Sequence, residues 1–178
     1  WILPKMIEAD RPRDDVLFAT ISARPLQPAP LAIAQGNLVA GPAGIALSTS
    51  RVLAENRLEP GQLETIAPAL GIRHWIVFDP FPEEATGHAD VHARFLGPNV
   101  LAVAWHREEP ALQQTAETIA GRVLALRPRT RVLRLPLARQ GARYASLVNW
   151  IQIGRELILP TYDLTSPGDL DEAAGDFG

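Results

Sequence analysis

Apolar residues in this chain fall into short runs of alternating or continuous character, separated by stretches with helical spacing. The run "LAIAQGNLVA" (31–40) predicts a strand that turns at "GPAG", and "IALSTS" (45–50) predicts a second strand. In "EPGQLETIAPAL" (59–70), Leu63, Ile66, Ala67 and Leu70 recur at helix spacing behind an early Pro60, so a helix is expected there. "RHWIVF" (73–78) predicts a third strand. The same order then returns. "DVHARFL" (90–96) reads as a strand, "GPN" as a turn and "VLAVAW" (100–105) as a strand. "EPALQQTAETIAGRVLAL" (109–126) reads as a helix with Leu112, Ala116, Ile119, Val123 and Leu126 on one side, and "TRVLRLPL" (130–137) as a closing strand. A third round begins with "YASLVNWIQI" (144–153), turns at "GRE", continues in "LILPTY" (157–162) and opens a helix near Ser166 and Pro167.

The repeated order is strand, tight turn, strand, helix, strand, over approximately 31–80, 90–137 and a partial 143–178. It predicts an α/β fold of small sheets backed by helices. Neither "GPAG" nor "LGPN" matches a Gly-rich phosphate loop, so a doubly wound nucleotide fold is not expected.

Composition narrows the function classes. The chain has 178 residues, 47% hydrophobic and 21% charged, which suits a globular domain rather than a disordered one. With a net charge of −3 and basic residues grouped only at "RPRTR", no nucleic-acid partner is expected. No apolar run reaches membrane-spanning length, so no membrane partner is expected either. The absence of cysteine removes disulfides, thiolate metal sites and any Cys nucleophile within these residues, and it fits a cytoplasmic location. The chain opens on Trp1 and closes in an incomplete helix start, so we expect a piece of a longer protein.

Candidate chemistry concentrates in "TGHADVHARF" (86–95). In a strand, His88, Asp90, His92 and Arg94 would share one face, and Ala89, Val91, Ala93 and Phe95 the other. That polar face has three readings: solvated surface, a metal site of His88, Asp90 and His92, or an acid/base site. No further His/Asp cluster completes a coordination sphere, so no metal is expected. Gln35 and Asn37 would lie on one strand face with Ile33 and Val39, either as a satisfied core network or as a substrate-facing edge. Asn149 interrupts an apolar strand and would need partners if buried. Ser48, Thr49 and Ser50 read as a turn or cap. No G-x-S-x-G elbow is present, so a serine hydrolase is not expected.

Taken together, "RPRDD" (11–15), "QGNLVAGPAGIALSTSRVLAEN" (35–56), "TGHADVHARFLGPNVLAVAW" (86–105) and "YASLVNWIQIGRELILPTYD" (144–163) resemble the agmatine deiminase and bacterial-type peptidylarginine deiminase family. The resemblance implies the pentein fold, an α/β propeller of five strand-strand-helix-strand units, of which this single incomplete domain would hold about half. It also implies hydrolysis of a guanidine to a ureido group with release of ammonia, without a cofactor, on a small guanidine such as agmatine or an arginine derivative. In that family a Cys thiolate attacks the guanidinium carbon, the His of G-H-x-D moves protons and carboxylates grip the guanidinium. Carried over, His88 is the proton shuttle, Asp90 a guanidinium-binding carboxylate, and Gln35 and Asn37 substrate-binding residues.

Three departures accompany the resemblance. Ala34-Gln35-Gly36-Asn37 stands where the family has Glu-Gly-Gly-Asn, a Trp-x-Arg-Asp segment is absent, and the nucleophilic Cys would fall after Gly178. The resulting expectation is a deiminase-like hydrolase whose present residues lack the nucleophile. The alternative is a non-catalytic pentein that binds a guanidine or a protein partner.

Overall fold

Apolar runs bounded by Gly and Pro form short strands, and the longest run of helical spacing forms the one long helix among the described residues. The computed structural model describes residues 2–5, 27–140 and 143–162. Strand β1 (Ile2–Lys5) pairs in parallel with β2 (Gln27–Ala32). A three-stranded sheet follows in the order β3 (Val39–Ala40), β4 (Ile45–Thr49), β5 (His74–Phe78). A four-stranded sheet contains β6 (Ala93–Phe95), β7 (Val100–Trp105), β8 (Arg131–Gln140) and β9 (Arg143–Ser146). The hairpin of β10 (Ile151–Ile153) and β11 (Glu156–Ile158) stands as its own pair and exposes Ile151, Ile153 and Ile158.

The two larger sheets share their pairing signs in chain order. β3 and β4 are antiparallel and β4 and β5 parallel; β6 and β7 are antiparallel and β7 and β8 parallel. Each parallel pair is joined across a helical connection, as parallel strands require. The first connection is α1 (Arg51–Asn56), α2 (Gln62–Ile66) and a 3₁₀ turn Ala67–Leu70; the second is the 17-residue α3 (Pro110–Leu126). Leu112, Ala116, Ile119 and Val123 of α3 are buried as the spacing predicts, whereas Leu126 is exposed.

Helix α3 contributes Ala116, Ile119, Ala120 and Val123 to a cluster with Leu47, Ile76, Leu101 and Val103, so it ties both sheets together. On β7, Leu101 and Val103 face that cluster while Ala102 and Ala104 face a second one with Leu135, Leu137, Val148 and Trp150. Burial on both faces explains the continuous apolar run there.

Four sequence expectations are corrected. The strand expected over 31–40 stops at Ala32, forms a 3₁₀ turn at Gln35–Asn37 and resumes at Val39. Asn37 turns the chain because its side chain bonds across to Thr49, a contact that outcompetes the extended form. The helix over 59–70 shortens to α2, since Pro68 has no N–H to continue the α-ladder, and α1 adds a helix that was not expected. The strand over 90–96 becomes a 3₁₀ turn, Ala89–Val91, followed by β6. That turn breaks the alternation, so His92 and Ala93 are consecutive and both buried. The strand over 144–153 divides into β9 and β10, leaving Asn149 exposed in the connection, where its amide needs no buried partner. The "RPRDD" segment and the helix expected from Ser166 lie outside the described residues.

Candidate active site

Two 3₁₀ turns distant in sequence meet at Gly36. A Cβ placed on Gly36 would lie 2.5 Å from His88 Nδ1 and 2.9 Å from each carboxylate oxygen of Asp90. Real Cβ atoms do not sit so close, so only glycine lets the 35–37 turn come against these two groups. His88 is the extended residue that opens the 89–91 turn, and Asp90 lies within it. His88, Asp90 and the Gln35–Asn37 turn therefore share one spot.

The turns are locked from behind. Asn37 is fully buried, and its Oδ1 accepts from Thr49 N at 2.8 Å and lies 2.9 Å from Thr49 Oγ1. Thr49 Oγ1 also stands 2.5 Å from the carbonyl oxygen of Gly87. One hydroxyl carries one proton, so Thr49 serves these two acceptors alternately. It links β4, the Asn37 turn and the residue preceding His88. Gly87 itself has φ +62, a left-handed conformation suited to glycine. Asn37, expected beside Gln35 on a substrate-facing strand, instead has its carbonyl committed to Thr49. Gln35 is exposed, and Ala34, at the position where the resemblance would place a glutamate, is 1% exposed.

Charge at the site centres on Asp90. Arg94 Nη2 approaches its Oδ2 to 3.5 Å. Burial raises the Asp90 pKa above the ordinary carboxylate value, and the positive charges of Arg94 and His88 offset only part of that rise. Glu84 lies close enough to push in the same direction as burial.

His92 does not join this group. It is 1% exposed, with the Phe81 ring centroid 3.8 Å away and the Phe78 ring edge-on at 5.1 Å. Its Nε2 receives a long, 3.4 Å hydrogen bond from Phe81 N–H, and burial pushes its pKa down to about 3. The metal reading required His92 on the same face as His88 and Asp90, and the 89–91 turn removes it. Among the described residues no group of three His, Asp or Glu side chains is placed to hold a metal ion.

The sequence matches the Porphyromonas-type peptidyl-arginine deiminase family over residues 5–176. The chain belongs to that family. No curated protein matches significantly. Among solved structures, the C. jejuni agmatine deiminase is similar with TM-score 0.73 and 19% identity, over 99% of this chain and 57% of that one. The agmatine deiminase of Enterococcus faecalis gives TM-score 0.70 and 18% identity, over 91% and 54%. A cysteine-to-serine variant of DDAH from Pseudomonas aeruginosa, complexed with citrulline, gives 0.54 and 15%, over 98% and 60%. At these identities the likeness is one of fold, mixed α/β as in the agmatine deiminases. This deiminase-family chain spans little more than half the length of the structures it resembles.

Sequence reasoning missed Thr49, read only as part of a turn or cap. A hydroxyl pair inside the apolar run "IALST" was the available signal. Ser48 is buried in the same strand and accepts from Trp75 Nε1 at 3.0 Å. Trp75 is thus tied to β4, and Trp150 is buried in the second core cluster. No helix among the described residues is long and apolar enough to cross a membrane.

Proposed function

We propose that this chain is the part of an agmatine deiminase-like hydrolase that carries its proton-transfer and guanidinium-binding groups, within a pentein domain whose successive units are residues 31–80, 90–137 and 143–178. The observation that carries the reading is the convergence of His88 Nδ1 and the Asp90 carboxylate on Gly36. A planar guanidinium held by Asp90 through paired, charge-assisted hydrogen bonds presents its carbon to an attacking group. A thiolate adds to that carbon and ammonia leaves with a proton from His88; water then adds while His88 takes one of the water's protons, and the carbon–sulfur bond breaks to release the product and return the thiolate. The sum is guanidine plus water to ureido product plus ammonia. No residue here is a cysteine, so in this reading the thiolate comes from outside these 178 residues.

Asn37 in this scheme positions the turn, and Gln35 is the exposed side chain of that turn assigned to the substrate. An amide carries no charge, so its grip on a guanidinium is weaker than a glutamate's, and Gln35→Glu is expected to tighten substrate binding. The capture step needs Asp90 ionised. Because its pKa is raised, kcat/KM falls on the acid side at a higher pH than an ordinary carboxylate would give. The experiment is ammonia release by the intact protein that contains these residues, with agmatine and peptidyl-arginine as substrates. His88→Ala is expected to cost ~10²–10⁴-fold in rate. Asp90→Asn is expected to raise KM and lower kcat together. Activity unchanged in His88→Ala ends this mechanism. An inert intact protein that still binds guanidines supports the non-catalytic alternative.

A further inference from the structure

The segment from Asp79 to Gly87 joins β5 to His88 and contains no helix or strand. A connection of that kind would ordinarily hold its last residue loosely. Here it is fastened along its length, and three of the fastenings come from the far edge of the second sheet. Asp79 Oδ1 accepts from Ser50 Oγ at 2.9 Å. Phe81 is 2% exposed and stacks on Tyr144 with ring centroids 5.2 Å apart. Tyr144 Oη donates to the Pro82 carbonyl at 2.6 Å. Arg139 Nη2 bonds Glu83 Oε2 at 2.9 Å, while its Nη1 bonds Glu109 Oε2 at the same distance. Nearer the site, the Glu84 carboxylate accepts from Thr86 N and Oγ1 and from Gly87 N, and Arg51 holds the Thr86 carbonyl.

Arg139 and Tyr144 are direct cross-strand partners on β8 and β9, and the guanidinium lies over the Tyr144 ring at 5.4 Å. They form one unit that grips two successive residues of the strap. Glu83 supplies the second indication. Its φ is +61, a left-handed conformation that favours glycine, yet the position holds a glutamate whose carboxylate reaches Arg139. Backbone preference alone would place Gly or Asn there, so the side chain has its own use.

We propose that Arg139 and Tyr144 are positioning residues for His88, acting through the 79–87 strap so that the second sheet sets the imidazole's place over Gly36. The proposal rests on the reading of His88 as the proton-transfer group. Two variants of the intact protein test it, Glu83→Gly and Tyr144→Phe. Glu83→Gly removes the Arg139 grip and relieves the left-handed backbone, so a purely structural residue would show unchanged or higher thermal stability and unchanged turnover. The expected result is unchanged or higher Tm with kcat for agmatine lowered about tenfold and KM little altered, since small misplacements of a reacting group are costly. Tyr144→Phe is expected to lower kcat similarly, and Glu83→Asp to recover part of the loss. Amide hydrogen exchange provides a readout free of catalysis: exchange at 84–88 should accelerate in both variants. If the wild type hydrolyses no guanidine, the deiminase reading fails, and the exchange result alone decides the strap. Unchanged exchange overturns the proposal, as does unchanged kcat in both variants of an active protein.

Discussion

The second sheet and the pair of turns at Gly36 are held together by different physics. Around β7 and α3 nearly every contact is apolar: Leu101, Val103, Leu112, Ile119 and Val123 are all 0–1% exposed. At the turns the contacts are directional, running from Asn37 to Thr49 to Gly87 in the interior and from the half-buried Arg94 to Asp90. Apolar burial is nondirectional and sums over area, which suits a scaffold. Hydrogen bonds fix a few atoms relative to one another and contribute modest net stability, which suits a site. The same central strand position can therefore serve either purpose: β4 and β7 are both buried, but only β4 carries Ser48 and Thr49.

Breaking the apolar region should have the largest effect on stability. Ile119→Ala removes a fully buried side chain from the cluster that both sheets share, and a loss of ~2–5 kcal/mol is expected, measured by urea unfolding of the intact protein. If the two sheets were independent, this loss would fall at the low end of that range.

Acid should strike the same scaffold through His92. Its folded pKa is about 3, against an ordinary value of 6.5. Between these pH values the unfolded chain takes up a proton that the folded chain refuses, so the unfolded state binds more protons and stability falls as pH drops. The slope is roughly 1.4 kcal/mol per pH unit within that window, with no contribution above it. Unfolding midpoints at pH 7, 5.5 and 4 should fall in the wild type and change less in His92→Leu, although that variant starts lower.

Breaking the directional region should cost less stability and more function. Thr49→Val keeps the shape of β4 and the backbone N–H bonded to Asn37 Oδ1, but removes the buried hydroxyl shared with the Gly87 carbonyl, for a loss of about 1–3 kcal/mol. Turnover should fall further than that loss of stability accounts for, because the two turns lose their shared anchor. Equal turnover in Thr49→Val and wild type would show that the turns hold their places without it.

The smallest effect is expected at the exposed pair of Arg134 and Glu117, which are 2.6 Å apart with side chains 44% and 45% exposed. Glu117→Gln should change stability by no more than about 1 kcal/mol and leave turnover alone, marking the baseline for a surface charge.

Much of the fold was legible because its strongest elements are decided locally. "VLAVAW" is β7 residue for residue, and the helical spacing of 109–126 is α3 to within one residue. The errors fall where side chains bond across the chain. Asn37 and the 89–91 turn both interrupt expected strands, and in each case the element boundary depends on a partner more than ten residues away or on a turn whose phase no periodicity reveals. Reading "HADVHARF" as a uniform strand put His88 and His92 on one face, and a single 3₁₀ turn separated them.

By itself the sequence determined the α/β order and the family, since these depend on composition, spacing and motif. His88, Asp90, Gln35 and Asn37 stood out from the chain alone as candidates. Only the tertiary structure decided that Gly36 brings them together, that Asn37 faces inward to Thr49 and that His92 belongs to the core. Only the tertiary structure also linked Arg139 and Tyr144 to the residues before His88. Close approach and burial arise from segments 11 to 62 residues apart in the chain, as in Phe81 with His92 and Pro82 with Tyr144, and local spacing carries no record of such contacts.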